Sequence, residues 1–292
     1  MKGKQLPRYL FWAFALAWAL QAVAIVFARK GQVPYFQLVL AVSMFAPFAA
    51  VLLAGIPLRG MGWKPHLKRK LGSLLAAWFV PAGLTLLGAA LYYLVFPAHL
   101  DLSGSLIAAQ LGEAGLAQLE AAGMTLRTYT LVQAVTALIW APWLNMLLAV
   151  GEEAGWRGAL YPRLKARFGA GKGRLLGGLI WGVWHWPVTI LAGYNYGMAY
   201  WGAPVLGPLV FCLGTVALGI FFDFLYEKTH CIWIPALAHG AYNAAAGIPT
   251  LFLAVNAVRY SPLGPNPIGL IAGLPFFVLA ALLVQKSGET AA

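Results

Sequence analysis

Residues 71–96 read LGSLLAAWFVPAGLTLLGAALYYLVF, 26 positions without a charged side chain. Roughly 20 mostly apolar residues suffice for one helix to cross the hydrocarbon core of a bilayer. Seven more runs of this kind lie at about 9–28, 36–58, 129–150, 175–192, 204–226, 232–247 and 268–284. The run 232–247 is short for a full crossing. No alternating strand pattern recurs as it would in an outer-membrane barrel. The reading is an all-α polytopic membrane bundle of about eight transmembrane helices, one membrane-embedded domain over 1–292 without an internal repeat.

Whole-chain composition points the same way. Hydrophobic residues make up 61% of the 292 and charged ones 10%, against about 45–50% and about 25% in soluble domains. A soluble core of this size cannot hide so much apolar surface, and so little charge excludes disorder. Only two cysteines are present, Cys212 in an apolar run and Cys231 in a short loop. They read as free thiols and exclude a disulfide framework.

The net charge of +12 is a matter of placement. Fifteen cations fall on one side, from Lys2, Lys4 and Arg8 through the loops 59–70 and 163–174 to Lys228 and Lys286. Arg29, Lys30, Arg127 and Arg259 fall on the other. That bias puts both termini and the basic loops in the cytoplasm. It reflects topology and attraction to anionic membrane lipid rather than nucleic-acid binding. The first run mimics a signal peptide at Ala22-Val23-Ala24, but continues to Ala28 and is expected to stay as an anchor. The long extracytoplasmic connection is 97–128, where Leu106, Leu111, Leu116 and Leu119 suggest short amphipathic helices at the interface; 193–203 lies on the same side.

Ionisable groups within spans are costly and mark function by default. Three clusters qualify. In Gly151-Glu152-Glu153-Ala154-Gly155-Trp156-Arg157, Glu153 and Arg157 are four apart and suit an ion pair. Glu152 points about 100° away, on the side of Asn145, and has no partner on its own helix. His185, in WGVWHWP (181–187), lies roughly 15 Å below the cytoplasmic boundary by helical rise, just before Pro187. His239 and Asn243 share a helical face about 10 Å deep by the same rise. Two histidines, an asparagine and a free carboxylate from three helices are expected to meet in one wet cavity open to the cytoplasm.

Such a cavity holds parts for peptide-bond hydrolysis. A carboxylate out of bulk water is a stronger base, and imidazole and carboxamide can donate to an oxyanion. One Glu and two His are also a ligand set for catalytic zinc, although the helical His-Glu-x-x-His motif is absent.

At these residues the sequence resembles the CPBP intramembrane proteases, the family of CAAX prenyl endopeptidases and bacterial Abi proteins. Glu152-Glu153 with Arg157 matches its Glu-Glu-x-x-x-Arg motif, extended through EEAGWRGALYPRL (152–164). Trp181 to His185 matches the aromatic-x-x-x-His motif, with Trp in place of the more usual Phe. His239 to Asn243 matches His-x-x-x-Asn, after LYEKTHCIWIPALA; His230-Cys231 stands where small residues are common. The resemblance covers about 130–250, which would be the protease core.

The resemblance implies that Glu152 is the water-activating base, assisted by His185. His239 and Asn243 would stabilise the oxyanion, while Glu153 and Arg157 orient the site. The family carries a metalloprotease label, yet a metal-free glutamate mechanism has been argued for it. The metal-free form is the reading favoured here, with zinc on Glu152, His185 and His239 as the alternative. The implied substrate is a membrane-associated peptide or lipidated protein C-terminus, cut at a cytoplasm-facing site in the cell (inner) membrane. The reading from another class is a transporter or an immunity scaffold without chemistry.

Overall fold

The computed structural model describes residues 5–65 and 70–289. Lys2, Lys4, Lys68 and Arg69 lie outside the described residues. Among those described there is no strand, only an isolated bridge between Leu100 and Leu253. The fold is an all-α polytopic bundle of apolar helices, as the hydropathy requires.

Helix α1 (Gln5–Arg29) is followed by α2 (Val33–Ser43) and α3 (Ala46–Leu53), which together make one bent run, and then by α4 (Leu71–Val95). The connection after α4 carries α5 (Ser105–Ala121), kinked at Gly112, and leads into α6 (Leu126–Ile139). The connection is thus helical, as expected. Its entry turn is tied by Asp101, whose carboxyl is held below the usual carboxylate range by hydrogen bonds from Ser103 and Ser105. The protease-like stretch comprises α7 (Ala141–Gly155), α8 (Tyr161–Phe168), α9 (Ala170–Trp184), α10 (Trp186–Leu191), α11 (Leu206–Thr229) and α12 (Trp233–Ala245). Last comes α13 (Leu274–Glu289).

The expected eight full crossings are not all continuous helices. Four are long and apolar enough to span, or five if α6 and the 141–168 stretch, bent by 52° to each other, count as one. Proline explains two breaks: Pro142 and Pro187 sit in the first turn of α7 and α10, lacking an N–H and crowding the turn before. α12 has 13 residues, about 20 Å of rise, short of the roughly 30 Å hydrocarbon core. Near the C-terminus the Pro- and Gly-rich stretch SPLGPNPIG (261–269) delays α13 to Leu274.

α11 is the spine. Of its most apolar window 78% is buried, against 28–33% for the other three long helices, which therefore face lipid while α11 faces protein. α9 packs antiparallel to it at close range: a Cβ on Gly178 would come within 2.5 Å of the Val216 Cα. At the basic face the pair is clamped by charge. Lys165 of α8 donates to both oxygens of Asp223 at 2.7 and 2.8 Å, and Arg174 Nε donates to Asp223 at 2.7 Å. Both cations also reach Glu227, one turn further along α11.

Asp223 is fully buried while Glu227 is about half exposed, so the two acids should differ sharply in weight. Asp223→Ala should cost about 3–5 kcal/mol, because it removes the buried anion that Lys165 and Arg174 share. Glu227→Ala should cost about 0–1 kcal/mol. Denaturation of the purified variants in detergent micelles measures both.

Candidate active site

α7 runs directly into a five-residue π turn, Trp156–Leu160. An inserted wide turn of this kind re-aims side chains within a helix and is frequent at functional sites. Glu152, Glu153, Trp156 and Arg157 are all buried here. Glu152 Oε2 accepts N–H bonds from the Trp156 indole at 3.0 Å and the Trp181 indole at 2.7 Å. Glu153 Oε1 accepts from Arg157 Nη1 at 3.0 Å and from His239 Nδ1 at 2.8 Å. The Arg157 guanidinium lies 4.7 Å from the Tyr161 ring centre and 4.9 Å from that of Trp181, where the ring faces favour a cation. The adjacent acids therefore have different surroundings, one in an ion pair and one between two indoles.

His239 reaches Glu153 because α12 lies close along α7. A Cβ on Gly240 would come within 2.5 Å of the Met146 backbone nitrogen, so only glycine permits this approach. The His239 ring stacks on Phe222 and meets Trp181 edge-on. With Nδ1 committed to Glu153, Nε2 is the nitrogen left for the cavity.

His185 sits at the break between α9 and α10. Its Nδ1 lies 2.9 Å from the Trp181 carbonyl oxygen. A carbonyl only accepts, so Nδ1 carries a proton and neutral His185 keeps a lone pair on Nε2. The break itself is repaired from α1. Gln21 Nε2 donates to the Trp184 carbonyl at 2.9 Å, and Gln21 Oε1 accepts the Val188 N–H at 3.4 Å. One carboxamide thus stands in for the i, i+4 bond that the kink removes; Trp18 adds a second donor to the Trp184 carbonyl.

Glu152, His185, His239 and Asn243 line a single cavity of about 610 Å³ together with Asn145. Convergence from three helices follows the sequence reading, as does the shared side of Glu152 and Asn145. Glu153 and Arg157 do not line the cavity; they lie behind His239. Two roles escaped the sequence reading. Trp181 is a hydrogen-bond donor to Glu152 as well as a wall, and Trp156, four residues after Glu152, is its twin. Gln21 was also missed, although it is the one carboxamide in the first apolar run.

From Glu152 the lining extends to Val188, Tyr194, Asn195, Asn243, Thr250 and Asn266, and toward α8 Tyr9, Trp156 and Trp184 are buried and pack edge to face.

Among the described residues no three His, Cys, Asp or Glu side chains are grouped so as to hold a metal ion. One Glu152 oxygen is already taken by two indoles. Glu152, His185 and His239 share a cavity but, as placed, do not fit a ligand cage.

Residues 133–245 match the family model described as type II CAAX prenyl endopeptidase Rce1-like. A CAAX prenyl protease 2 from Methanococcus maripaludis is 31% identical over 85 residues, covering 29% of this chain and 31% of that protein. The match thus spans about a third of the curated relative's length. Both findings support the CPBP-protease assignment of this core, and the matched segment holds all six motif residues.

Gln21→Leu keeps the volume and removes both bonds to the break. Loss of a buried hydrogen-bond partner should cost about 1–3 kcal/mol, read by chemical denaturation in micelles. Gln21→Glu keeps the acceptor for Val188 but sets a buried ionisable group against the Trp184 carbonyl, and should be at least as damaging.

Proposed function

We propose that this chain is an intramembrane endopeptidase that hydrolyses peptide bonds of membrane-associated peptides or protein C-termini, CAAX-type lipidated ends included. The observation that carries the reading is the meeting of Glu152, His185, His239 and Asn243 on one cavity wall, with the Glu and both His each held by a second group. On this reading the protein is a multi-pass resident of the cell membrane in contact with anionic lipid, and the cation bias of its loops supports that.

The chemistry follows from the donors and acceptors. A water between Glu152 and the free Nε2 of His185 gives its proton to the Glu152 carboxylate as its oxygen attacks the peptide carbonyl. The indole N–H groups hold Glu152 Oε2 and leave Oε1 to take that proton. Negative charge then builds on the carbonyl oxygen, where the Asn243 amide donates. His239 can donate there only from Nε2, and with Nδ1–H already on Glu153 this requires the imidazolium. The proton on Glu152 then passes to the leaving amine as the C–N bond breaks, which restores the carboxylate.

Glu152→Gln should lower turnover by about 10²–10⁴-fold with the fold intact, the usual effect of losing a general base. Asn243→Ala should lower kcat by roughly 10²–10³-fold without altering metal content. Full activity of Glu152→Gln on a cleaved peptide would remove the base from the scheme. Purified enzyme should keep its activity after chelation and dialysis, with less than stoichiometric zinc by metal analysis. Inactivation reversed by stoichiometric zinc would instead make Glu152, His185 and His239 ligands.

A further inference from the structure

We infer that the Tyr194 hydroxyl is a further catalytic group of this site, a neutral donor to the carbonyl oxygen that turns negative as water attacks. The inference rests on the endopeptidase reading and adds to it a residue that none of the three motifs contains.

The chain is shaped to return Tyr194 to the site. α10 ends at Leu191, and Gly193 turns back with φ +67°, where a Cβ would come within 2.6 Å of the Gly197 carbonyl carbon. The Tyr194 N–H then donates to the Val188 carbonyl at 3.2 Å, which holds residue 194 against α10 rather than beyond it. Its ring lies parallel to that of His185, with 3° between the planes and centres 6.5 Å apart. The ring also packs against the buried cluster that contains Tyr196, Val210, Phe211 and Ile268. A tyrosine in packed surroundings ordinarily pairs its hydroxyl. That of Tyr194 has no hydrogen-bond partner among the described residues, and Tyr194 lines the cavity with Glu152, His185 and Asn243.

Two electrostatic neighbours place the hydroxyl. It lies within reach of the Glu152 carboxylate on α7 and of the Tyr242 hydroxyl on α12, one residue before Asn243. It therefore stands between the base and the amide donor, where the attacked carbonyl must lie. A phenol, with an ordinary pKa of about 10, keeps its proton at neutral pH and donates without first being charged. His239 can donate only as the imidazolium. The Tyr194 O–H bond to the carbonyl oxygen strengthens as charge develops, transfers no proton, and relaxes when the C–N bond breaks. Such a donor acts on the transition state more than on the bound substrate.

The test compares wild type, Tyr194→Phe and Glu152→Gln in cleavage of a quenched-fluorescent farnesylated CAAX peptide. Tyr194→Phe keeps the ring and its packing, so its denaturation midpoint in micelles should match wild type. It should lower kcat by roughly 10²–10³-fold with KM unchanged. Binding, read by tryptophan fluorescence, supplies a second measurement. A peptidyl trifluoromethyl ketone, hydrated to a tetrahedral centre, should bind Tyr194→Phe more weakly by a similar factor, while the matching uncleaved amide should bind both proteins equally. With wild type active and Glu152→Gln impaired, three results would each overturn the inference and leave the endopeptidase reading intact: an unchanged kcat, a rise in KM alone, or equal weakening of both ligands. If wild type cleaves no peptide and binds the ketone no better than the amide, the endopeptidase reading fails and the inference falls with it.

Discussion

A single carboxylate oxygen, Oε1 of Glu153, holds the centre of this protein together. It takes a guanidinium from its own helix and an imidazole from α12. Neither cation nor anion could be left alone in an apolar interior, since an unpaired buried ion costs several kcal/mol. Satisfying that demand forces α7 and α12 into contact, which the glycine at 240 makes sterically feasible. The same contact turns His239 Nε2 toward the cavity. Position and reactivity therefore share one cause: the ion pair that makes the acid tolerable also aims the histidine.

The helix breaks obey a related constraint. In lipid, backbone N–H and C=O groups freed by a kink have no water to turn to. The kink at His185 is acceptable because Gln21 supplies both a donor and an acceptor from α1. Without that insert the break that Pro187 imposes would leave the Trp184 carbonyl and the Val188 N–H without their Gln21 partner beside His185.

Fold class was legible because hydropathy acts over long windows, and the charged motif residues were legible because ions are rare in apolar runs. What could not be read was continuity. A run such as 175–192 is equally apolar whether it is one helix or two, and only the partner that Gln21 provides decides how sharp a break is tolerated. Pairing across elements was also hidden. Nothing in the sequence around Asp223 and Glu227 reveals that they bind Lys165 and Arg174, 49 to 62 residues away. Tyr9 and Trp156 read as ordinary apolar residues, and their edge-to-face packing beside the site joins elements far apart in the sequence.

The clamp at the basic face has a consequence for biogenesis. Lys165 and Arg174 emerge from the ribosome well before Asp223 and Glu227, so during insertion they are unneutralised positive charges flanking α9. At that stage they help retain the α8–α9 turn in the cytoplasm. Once α11 has entered, its two acids arrive at the same face and cancel them. A signal that first orients the hairpin becomes the bond that locks it, and the order of synthesis lets two side chains serve both ends in turn.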